Sequence, residues 1–242
     1  MNKALRIAIS GYGKMGREIE KVLDARGHEI VHRANAKQPL DAAHIQSADL
    51  VIEFSRPDVV VANIQSCIDA RCPIVVGTTG WYDHLAEVKQ RCEHSGSALL
   101  YATNFSIGVN VMFHINKTLA HVMNNVKGYE PGILEVHHTQ KLDQPSGTAI
   151  TLAEGIIENY TSKTQWVNKL AEQDDELGII SQREADVPGT HVVNYSSAAD
   201  DLSIVHRANN RSGFALGAVL AAEWLHGKQG VFTMQDFLNF ES

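Results

Sequence analysis

The first hundred residues alternate short, almost wholly apolar runs with stretches whose apolar residues recur every three or four positions. The apolar runs are residues 5–9, 29–34, 50–54, 74–76 and 98–101. Predicted helices lie between these runs; in the first of them, Met15, Ile19, Val22 and Leu23 share one face. Pro57 suits the first turn of another helix over 57–70. Because strands covered on both faces are apolar throughout, this pattern predicts a five-stranded parallel sheet between two layers of helices.

The pattern changes after Phe105, where a long helix is predicted over residues 111–123. A strand at 133–137 and a helix at 149–160 follow, then a polar stretch at 161–177 for which no element is predicted. Strand-like runs at 179–184, 191–195 and 202–208 are separated by turn sequences, and 214–225 reads as a helix rich in small residues. The fold class is therefore α/β: an N-terminal Rossmann-type parallel sheet with a second α+β domain built on a mixed sheet.

Composition narrows the function classes. With 242 residues, 44% of them apolar, the chain can bury a sizeable core, and a formal charge of −7 argues against a general nucleic-acid binder. No apolar run approaches the roughly 20 residues that span a bilayer. The short apolar run at the N-terminus leads into glycines rather than a cleavage site, so a cytoplasmic protein is expected. Three cysteines without zinc-like spacing predict buried thiols.

A glycine motif, GYGKMG, follows the first predicted strand and opens a helix. Gly11 permits the tight turn, Gly13 lets a pyrophosphate approach the backbone, and Gly16 allows close helix–strand packing. The helix N-terminus adds N–H groups and a positive dipole end. The motif predicts dinucleotide binding; the alternative is a structural glycine-rich turn.

The end of the second predicted strand lacks the acidic residue that usually bonds the ribose of NAD. Arg33 and Lys37 stand there instead. They either accommodate a 2′-phosphate, which would favour NADPH, or are solvated surface charges. Residues 77–80 and 102–105 follow the fourth and fifth predicted strands, at the edge where ligands bind parallel sheets. Either segment alone would more often be a plain turn, but because both share one edge with the glycine motif, each is predicted to line the nicotinamide pocket.

The stretch from Leu134 to Ala149 gathers His137, His138 and Lys141 before a Pro-Ser-Gly-Thr turn. Adjacent residues of a strand point to opposite faces, so one strand without a bend cannot aim both imidazoles at the same atom. Ser146, Gly147 and Thr148 precede a predicted helix and suit an anion, which predicts a local carboxylate site in an acidic chain. Two alternatives are a metal held by the histidines with Asp143, and a Schiff base on Lys141.

Six segments together resemble the 4-hydroxy-tetrahydrodipicolinate reductase family, formerly called dihydrodipicolinate reductase, over nearly the whole chain. They are GYGKMG (11–16), EFSRP (53–57), GTTG (77–80), NFSIGVN (104–110), EVHHTQKLDQPSGTA (135–149) and RSGFALGA (211–218). Departures from the family's common pattern are Glu53 for Asp, Ser55 for Thr, Gln144 for Ala and the missing acidic residue after the second strand.

The resemblance implies NADPH- or NADH-dependent reduction of a cyclic dicarboxylate in lysine and diaminopimelate biosynthesis. It implies that His137 is the catalytic proton donor or acceptor and Lys141 the second proton donor, and that His138, Gly147 and Thr148 bind substrate beside Ser146. The implied cofactor-binding residues are Gly11, Tyr12, Gly13, Lys14, Met15, Gly16, Gly77, Thr78, Thr79, Ala102, Thr103, Asn104 and Phe105. No metal is implied. The implied domains are 1–105 with 211–242 and 106–210, the second also building a homotetramer, with hinges expected near 105–108 and 209–213.

Two rival functions remain open at this point. One is another two-domain dehydrogenase, acting on a sugar or a semialdehyde; the phosphorylating type of semialdehyde enzyme would need a nucleophilic cysteine at the active edge. The other is a non-catalytic NAD(P)-sensing module, which would keep the glycine turn but would not need the His-Lys cluster.

Overall fold

The computed structural model describes residues 3–240, which divide into two compact units. The first contains the chain up to residue 106 and from residue 211 onward, and the second is Ile107–Asn210. Elements are numbered in chain order. The strands are β1 (Arg6–Ser10), β2 (Glu29–Ala34), β3 (Leu50–Glu53), β4 (Ile74–Val76), β5 (Ala98–Tyr101), β6 (Glu130–His137), β7 (Gln165–Val167), β8 (Glu176–Arg183), β9 (Thr190–Ser196), β10 (Asp201–Arg207) and β11 (Gly230–Phe232). The helices are α1 (Lys14–Ala25), α2 (Ala42–Ser47), α3 (Pro57–Asp69), α4 (Leu85–Ser95), α5 (Ile107–Met123), α6 (Gly147–Ile157), α7 (Ser212–Leu225) and α8 (Met234–Leu238).

The first unit is built on a six-stranded sheet in the order β11-β5-β4-β3-β1-β2, and every described pairing in it is parallel. Alternation along the strands divides their side chains between two cores. Ile7 and Ile9 pack on one face with α1 and α7, whereas Ala8 packs on the other with α3 and α4. The predicted parallel sheet with both faces covered is therefore confirmed.

Helix α7 approaches the sheet closely because its inner face is made of small residues. Its buried positions are Ala215, Gly217, Ala218, Val219, Ala221, Ala222 and Leu225. A Cβ added at Gly217 would lie 1.8 Å from the backbone oxygen of Phe105. The helix could not take this position with any side chain at residue 217.

The second unit is an α+β layer on a mixed five-stranded sheet in the order β10-β9-β6-β8-β7. Strand β9 pairs antiparallel with β6 and β10, whereas β8 pairs parallel with β6 and β7. Helices α5 and α6 supply Met112, Leu152 and Ile156 to a core that also contains Ile179 and Tyr195 from the sheet. The predicted mixed sheet is confirmed, and the register places His137 of β6 opposite Arg183 of β8.

Several short elements were missed by the sequence pattern. The polar stretch at 161–177 contains β7 and the start of β8, and the first sheet has a sixth strand, β11, beyond the five predicted. Strands β7 and β11 have three residues each, too few for a periodic signal, and both form by pairing with distant strands. Helices α2 and α8 were missed because they too are short, with six and five residues.

Within residues 3–240, no helix combines the length and apolarity that crossing a membrane requires.

Candidate active site

The glycine loop joins β1 to α1 with the geometry that its sequence predicts. Gly11 has φ +91°, and a Cβ there would come within 2.2 Å of the Phe54 oxygen. A Cβ at Gly16 would come within 2.7 Å of the Gly11 oxygen, whereas one at Gly13 would meet nothing within 4 Å. The open side of Gly13 is where a phosphate could reach the backbone, and among the described residues no side chain caps α1.

A cavity of about 560 Å³ opens beside this loop, in the first unit. Its lining includes Gly11, Tyr12 and Gly13 from the loop, Asn35 after β2, and Ser55 and Arg56 after β3. The volume is within the roughly 300–1,000 Å³ of typical ligand pockets. The cavity lies at the carboxyl ends of β1, β2 and β3, beside the open side of Gly13. This position suits the adenosine and pyrophosphate of a dinucleotide.

Arg33 is not among the residues that line this cavity. Its guanidinium pairs instead with Glu20, a residue that the sequence pattern did not single out. Its Nε and an Nη lie 2.8 and 2.7 Å from Oε1 of Glu20 on α1. The Tyr12 hydroxyl donates a hydrogen bond to Oε2 of the same carboxylate. These two partners lower the pKa of Glu20, Tyr12 first and Arg33 second. Lys37 is exposed, and its backbone N–H donates to Oδ1 of Asn35.

The loops after β4 and β5 lie side by side at the same sheet edge. The Gly77 N–H donates a hydrogen bond to the backbone oxygen of Glu53, and the Ala102 N–H donates one to the backbone oxygen of Val76. Both loops therefore continue the sheet. A Cβ at Gly77 would come within 2.3 Å of the Phe54 ring, which itself contacts Phe105 with centroids 5.6 Å apart. In the same loops, Thr78 and Phe105 are buried, Asn104 is half-buried, and Thr79 and Thr103 are exposed. The shared edge predicted for these segments is present.

In the second unit, a buried carboxylate lies behind His137. Glu135 is fully buried, and its Oε2 makes an ion-pair contact with Nδ1 of His137. Its Oε1 accepts a hydrogen bond of 3.1 Å from Arg183 of β8. Burial by itself would raise the pKa of Glu135, but His137, Ser181 and Arg183 together lower it to about 2. The carboxylate is thus charged at neutral pH and orients the imidazole through Nδ1.

The other ring nitrogen of His137, Nε2, lies beside Gly189. A Cβ at Gly189 would come within 3.1 Å of that nitrogen, so the glycine keeps its surroundings clear of a side chain. With Nδ1 turned to Glu135, Nε2 is the nitrogen left to exchange a proton with a bound molecule.

Arg183 also fixes the loop that contains Lys141. Its Nε donates to the Lys141 oxygen at 3.3 Å and an Nη donates to the Asp143 oxygen at 2.7 Å. Nζ of Lys141 lies 2.8 Å from both carboxylate oxygens of Asp143. Through Arg183, one buried carboxylate therefore connects the imidazole on β6 with the backbone of the lysine loop.

Ser146 is the N-cap of α6, and its hydroxyl is used inside the protein. Oγ accepts a hydrogen bond of 3.2 Å from the Ala149 N–H and lies 3.2 Å from Nε2 of His191. His138 directly follows β6 and is half-buried, Gly147 is exposed, and Thr148 is half-buried in the first turn of α6. The N-terminus of α6 thus has a positive dipole end beside the histidines.

His191 of β9 is buried and stacks edge-on against His137, with ring centroids 5.0 Å apart. Glu135, His137 and His191 place three possible metal ligands within 4.8 Å of one another. The Arg183 guanidinium already neutralises this carboxylate, and a cation there would be repelled. The set also differs from the His-His-Asp143 set that the sequence suggested.

Burial, and then the neighbouring His137, lower the pKa of His191 to about 3. The folded protein therefore keeps this imidazole neutral, whereas the unfolded chain binds a proton below a pKa of about 6.5. Since the unfolded state then binds more protons, stability falls as pH falls from about 6.5 towards 3. At pH 5 this costs about 2 kcal/mol. Glu135, with its pKa near 2, adds its own loss only below about pH 4.5.

His191→Asn is expected to remove that dependence. Urea unfolding at pH 7.5 and pH 5 should show the variant losing about 2 kcal/mol less than the wild type between the two conditions. His121→Asn, at an exposed position of α5, is the matched control. Equal losses in all three proteins would show that His191 is not held neutral.

The cysteines are buried thiols, as predicted. Burial raises the pKa of Cys72 to about 12 and of Cys92 to about 11, and that of Cys67 also rises. None of the three is activated as a nucleophile.

Two family models match, and together they span most of the chain. "Dihydrodipicolinate reductase, N-terminus" matches residues 5–105, and "Dihydrodipicolinate reductase, C-terminus" matches residues 108–238. This chain belongs to the dihydrodipicolinate reductase family. As a family member it is an oxidoreductase that uses NADH or NADPH, in lysine and diaminopimelate biosynthesis.

Curated relatives carry the name of this family, and a solved structure shares the fold. The 4-hydroxy-tetrahydrodipicolinate reductase of Christiangramia forsetii is 45% identical over 97% of this chain and 98% of its own length. The Neisseria gonorrhoeae enzyme of the same name is 30% identical over 98% of both chains. A dipicolinate-bound dihydrodipicolinate reductase from Paenisporosarcina sp. TG-14 shares the fold with a TM-score of 0.79 and 23% identity, covering 96% of this chain and 98% of that one.

The reductase family and the structure divide the chain differently at its C-terminal end. The second family model continues to residue 238, yet α7, β11 and α8 belong to the first structural unit. A boundary read from the family models alone would thus assign α7, which shares one face of the first unit's core with α1, to the wrong unit.

Proposed function

We propose that this chain reduces the dehydrated form of 4-hydroxy-tetrahydrodipicolinate, a cyclic conjugated imine dicarboxylate, with His137 and Lys141 supplying the proton. The observation that carries these roles is the buried Glu135, whose two oxygens contact His137 and Arg183. Arg183 in turn donates to the backbone oxygens of Lys141 and Asp143 in the lysine loop. The imidazole and the ammonium are thereby held on one framework.

The chemistry requires one hydride and one proton. A bound reduced nicotinamide coenzyme supplies the hydride. Hydride addition leaves an electron-rich nitrogen or carbon in the ring, and Nε2 of His137 gives it a proton. The ionised Glu135 stabilises the imidazolium before that transfer, and Lys141 is the second group placed to supply this one proton.

The substrate's carboxylates are proposed to bind His138 and the N-terminus of α6. Ser146 forms this N-terminus through its cap, and Gly147 and Thr148 are its first two residues. The positive dipole end favours an anion there. The dipicolinate found in the Paenisporosarcina structure is a planar ring with two carboxylates, which supports a ligand of this class.

In the first unit, the glycine loop and the loops after β4 and β5 are proposed to hold the coenzyme. Gly11 and Gly16 build the turn, Gly13 with Tyr12, Lys14 and Met15 faces the phosphates, and residues 77–79 and 102–105 lie by the nicotinamide. Support comes from the collision-free Gly13, the cavity beside it and the common sheet edge of the two loops.

We also propose a cytoplasmic homotetramer built through the second unit. Strand β10 is an edge strand with Leu202 and Val205 exposed, and α5 exposes Ile115 and Val122. Exposed edges that carry apolar residues are sites where strands or subunits add. Light scattering should give four times the mass of one chain.

The decisive assay follows NADH and NADPH oxidation at 340 nm with freshly generated 4-hydroxy-tetrahydrodipicolinate. The expected result is turnover that depends on this compound and is absent with aspartate semialdehyde or a sugar. Lys141→Gln should reduce turnover while leaving coenzyme binding unchanged, since Lys141 lies in the second unit. Coenzyme binding without any oxidation would support a sensing module instead.

A further inference from the structure

The ion pair between Glu20 and Arg33 stands where a Rossmann domain meets the ribose of the adenosine. Arg33 is the penultimate residue of β2, and Asn35 and Ala36 just beyond it line the glycine-loop cavity. Tyr12, which holds the other oxygen of Glu20, lines the same cavity. The trio thus borders the place where a coenzyme carries either a 2′-hydroxyl or a 2′-phosphate.

We propose that Glu20 is a specificity-determining residue: by neutralising Arg33 it makes this chain favour NADH over NADPH. A 2′-phosphate brings close to two negative charges and needs an uncompensated cation, usually a guanidinium that can bond two of its oxygens. Here Nε and one Nη of Arg33 contact Glu20, whose own charge repels the phosphate. A 2′-hydroxyl has no charge, so the Glu20 carboxylate does not repel it and binding of NADH is not weakened.

The carboxylate is held firmly enough to act in this way. Oε1 accepts both Arg33 contacts and Oε2 accepts the Tyr12 hydroxyl, so each oxygen has a partner. The side chain of Glu20 is 20% exposed against 42% for Arg33. To free Arg33 for a phosphate, the protein would have to leave Glu20 without its cation.

The other charges nearby do not replace Arg33. The Arg17 guanidinium lies over the Tyr12 ring, 5.9 Å from its centroid, and also interacts with Glu20. Arg56, on the cavity wall, pairs with Asp58 at 2.9 Å. Lys37 is exposed and contributes a screened charge at most.

The test measures binding of two coenzyme fragments to the full chain by calorimetry, without substrate or turnover. One fragment is 2′,5′-ADP, which carries the 2′-phosphate, and the other is 5′-AMP, which does not. The wild type is expected to bind 2′,5′-ADP no more tightly than 5′-AMP. Glu20→Gln should tighten 2′,5′-ADP about tenfold, as expected for one charge removed at ion-pair distance, with 5′-AMP changed less than about twofold.

Two further variants separate the local effect from a change of net charge or fold. Glu18→Gln removes the same charge from the same helix, but Glu18 pairs with Lys21, so it should change neither affinity. Adding Arg33→Gln to Glu20→Gln should abolish the tenfold gain. The gain should also shrink in 0.5 M salt, since exposed charges are screened.

The proposal is overturned if the wild type already prefers 2′,5′-ADP, if Glu20→Gln changes both fragments equally, or if Glu18→Gln gives the same gain. It is independent of the proton-transfer roles, because no part of the measurement involves His137 or Lys141. A parallel shift in the ratio of the Michaelis constants for NADPH and NADH would extend the result to the whole coenzyme.

Discussion

His137→Gln is expected to lower the turnover number roughly 10²–10⁴-fold, the usual contribution of a positioned acid or base. Glutamine has nearly the size of histidine and can still bond Glu135, so the strand and its ion network should remain intact. It has no titratable proton, so protonation of the ring atom left electron-rich by hydride addition would depend on water or Lys141. The Michaelis constant should change little, because the interaction lost is made mainly in the transition state.

The comparison that gives this result meaning uses two other histidines. His138→Gln should mainly raise the Michaelis constant, because His138 is proposed to bind a carboxylate. His121→Gln, on the exposed side of α5, should change neither constant. Coenzyme affinity and the urea midpoint are measured for each variant. A His137→Gln enzyme with wild-type turnover would remove His137 from the mechanism.

Gly217→Ala is expected to be the most damaging single methyl addition in the first unit. The new Cβ would lie 1.8 Å from the Phe105 oxygen, a backbone atom that has no rotamer by which to move away. Either α7 must shift off the sheet or residues 105–106 must move, and both disturb buried packing. Overpacking of this kind typically costs about 1–3 kcal/mol, and a rigid backbone contact belongs at or above the upper end.

Gly213→Ala in the same helix is the matched control. A Cβ at Gly213 meets nothing within 4 Å, so alanine there should be neutral or stabilising by about 0.5–1 kcal/mol through its higher helix propensity. Urea unfolding of both variants measures the difference. If Gly217→Ala were as stable as Gly213→Ala, the close approach of α7 to Phe105 would be wrong.

The parallel sheet could be predicted because its strands are uniformly apolar and its helices periodic. Strand β2 and strand β5 were predicted with the bounds that the structure has. Strand β11 could not be, since its three residues become a strand only by pairing with β5 far away in the sequence. Nothing in the three residues themselves distinguishes them from a loop until that pairing is known.

The candidate site shows the same division between local and distant information. Glu135 could have been predicted as a partner of His137, because residues two apart on a strand share a face. Arg183 and His191 were not, since they meet Glu135 only through the register of β6 with β8 and β9. Likewise, no pattern in the sequence relates Glu20 of α1 to Arg33 of β2.

The return of the chain to its first unit constrains the order in which the protein can form during synthesis. Helix α7 supplies Ala215, Val219 and Leu225 to the core on one face of the parallel sheet, yet it follows the entire second unit. As the ribosome proceeds, that face is covered only by α1 while residues 107–210 emerge, although the core of this inserted unit comes entirely from those residues. The inserted unit can therefore mature first, and the parallel-sheet unit is completed only after α7 has been made.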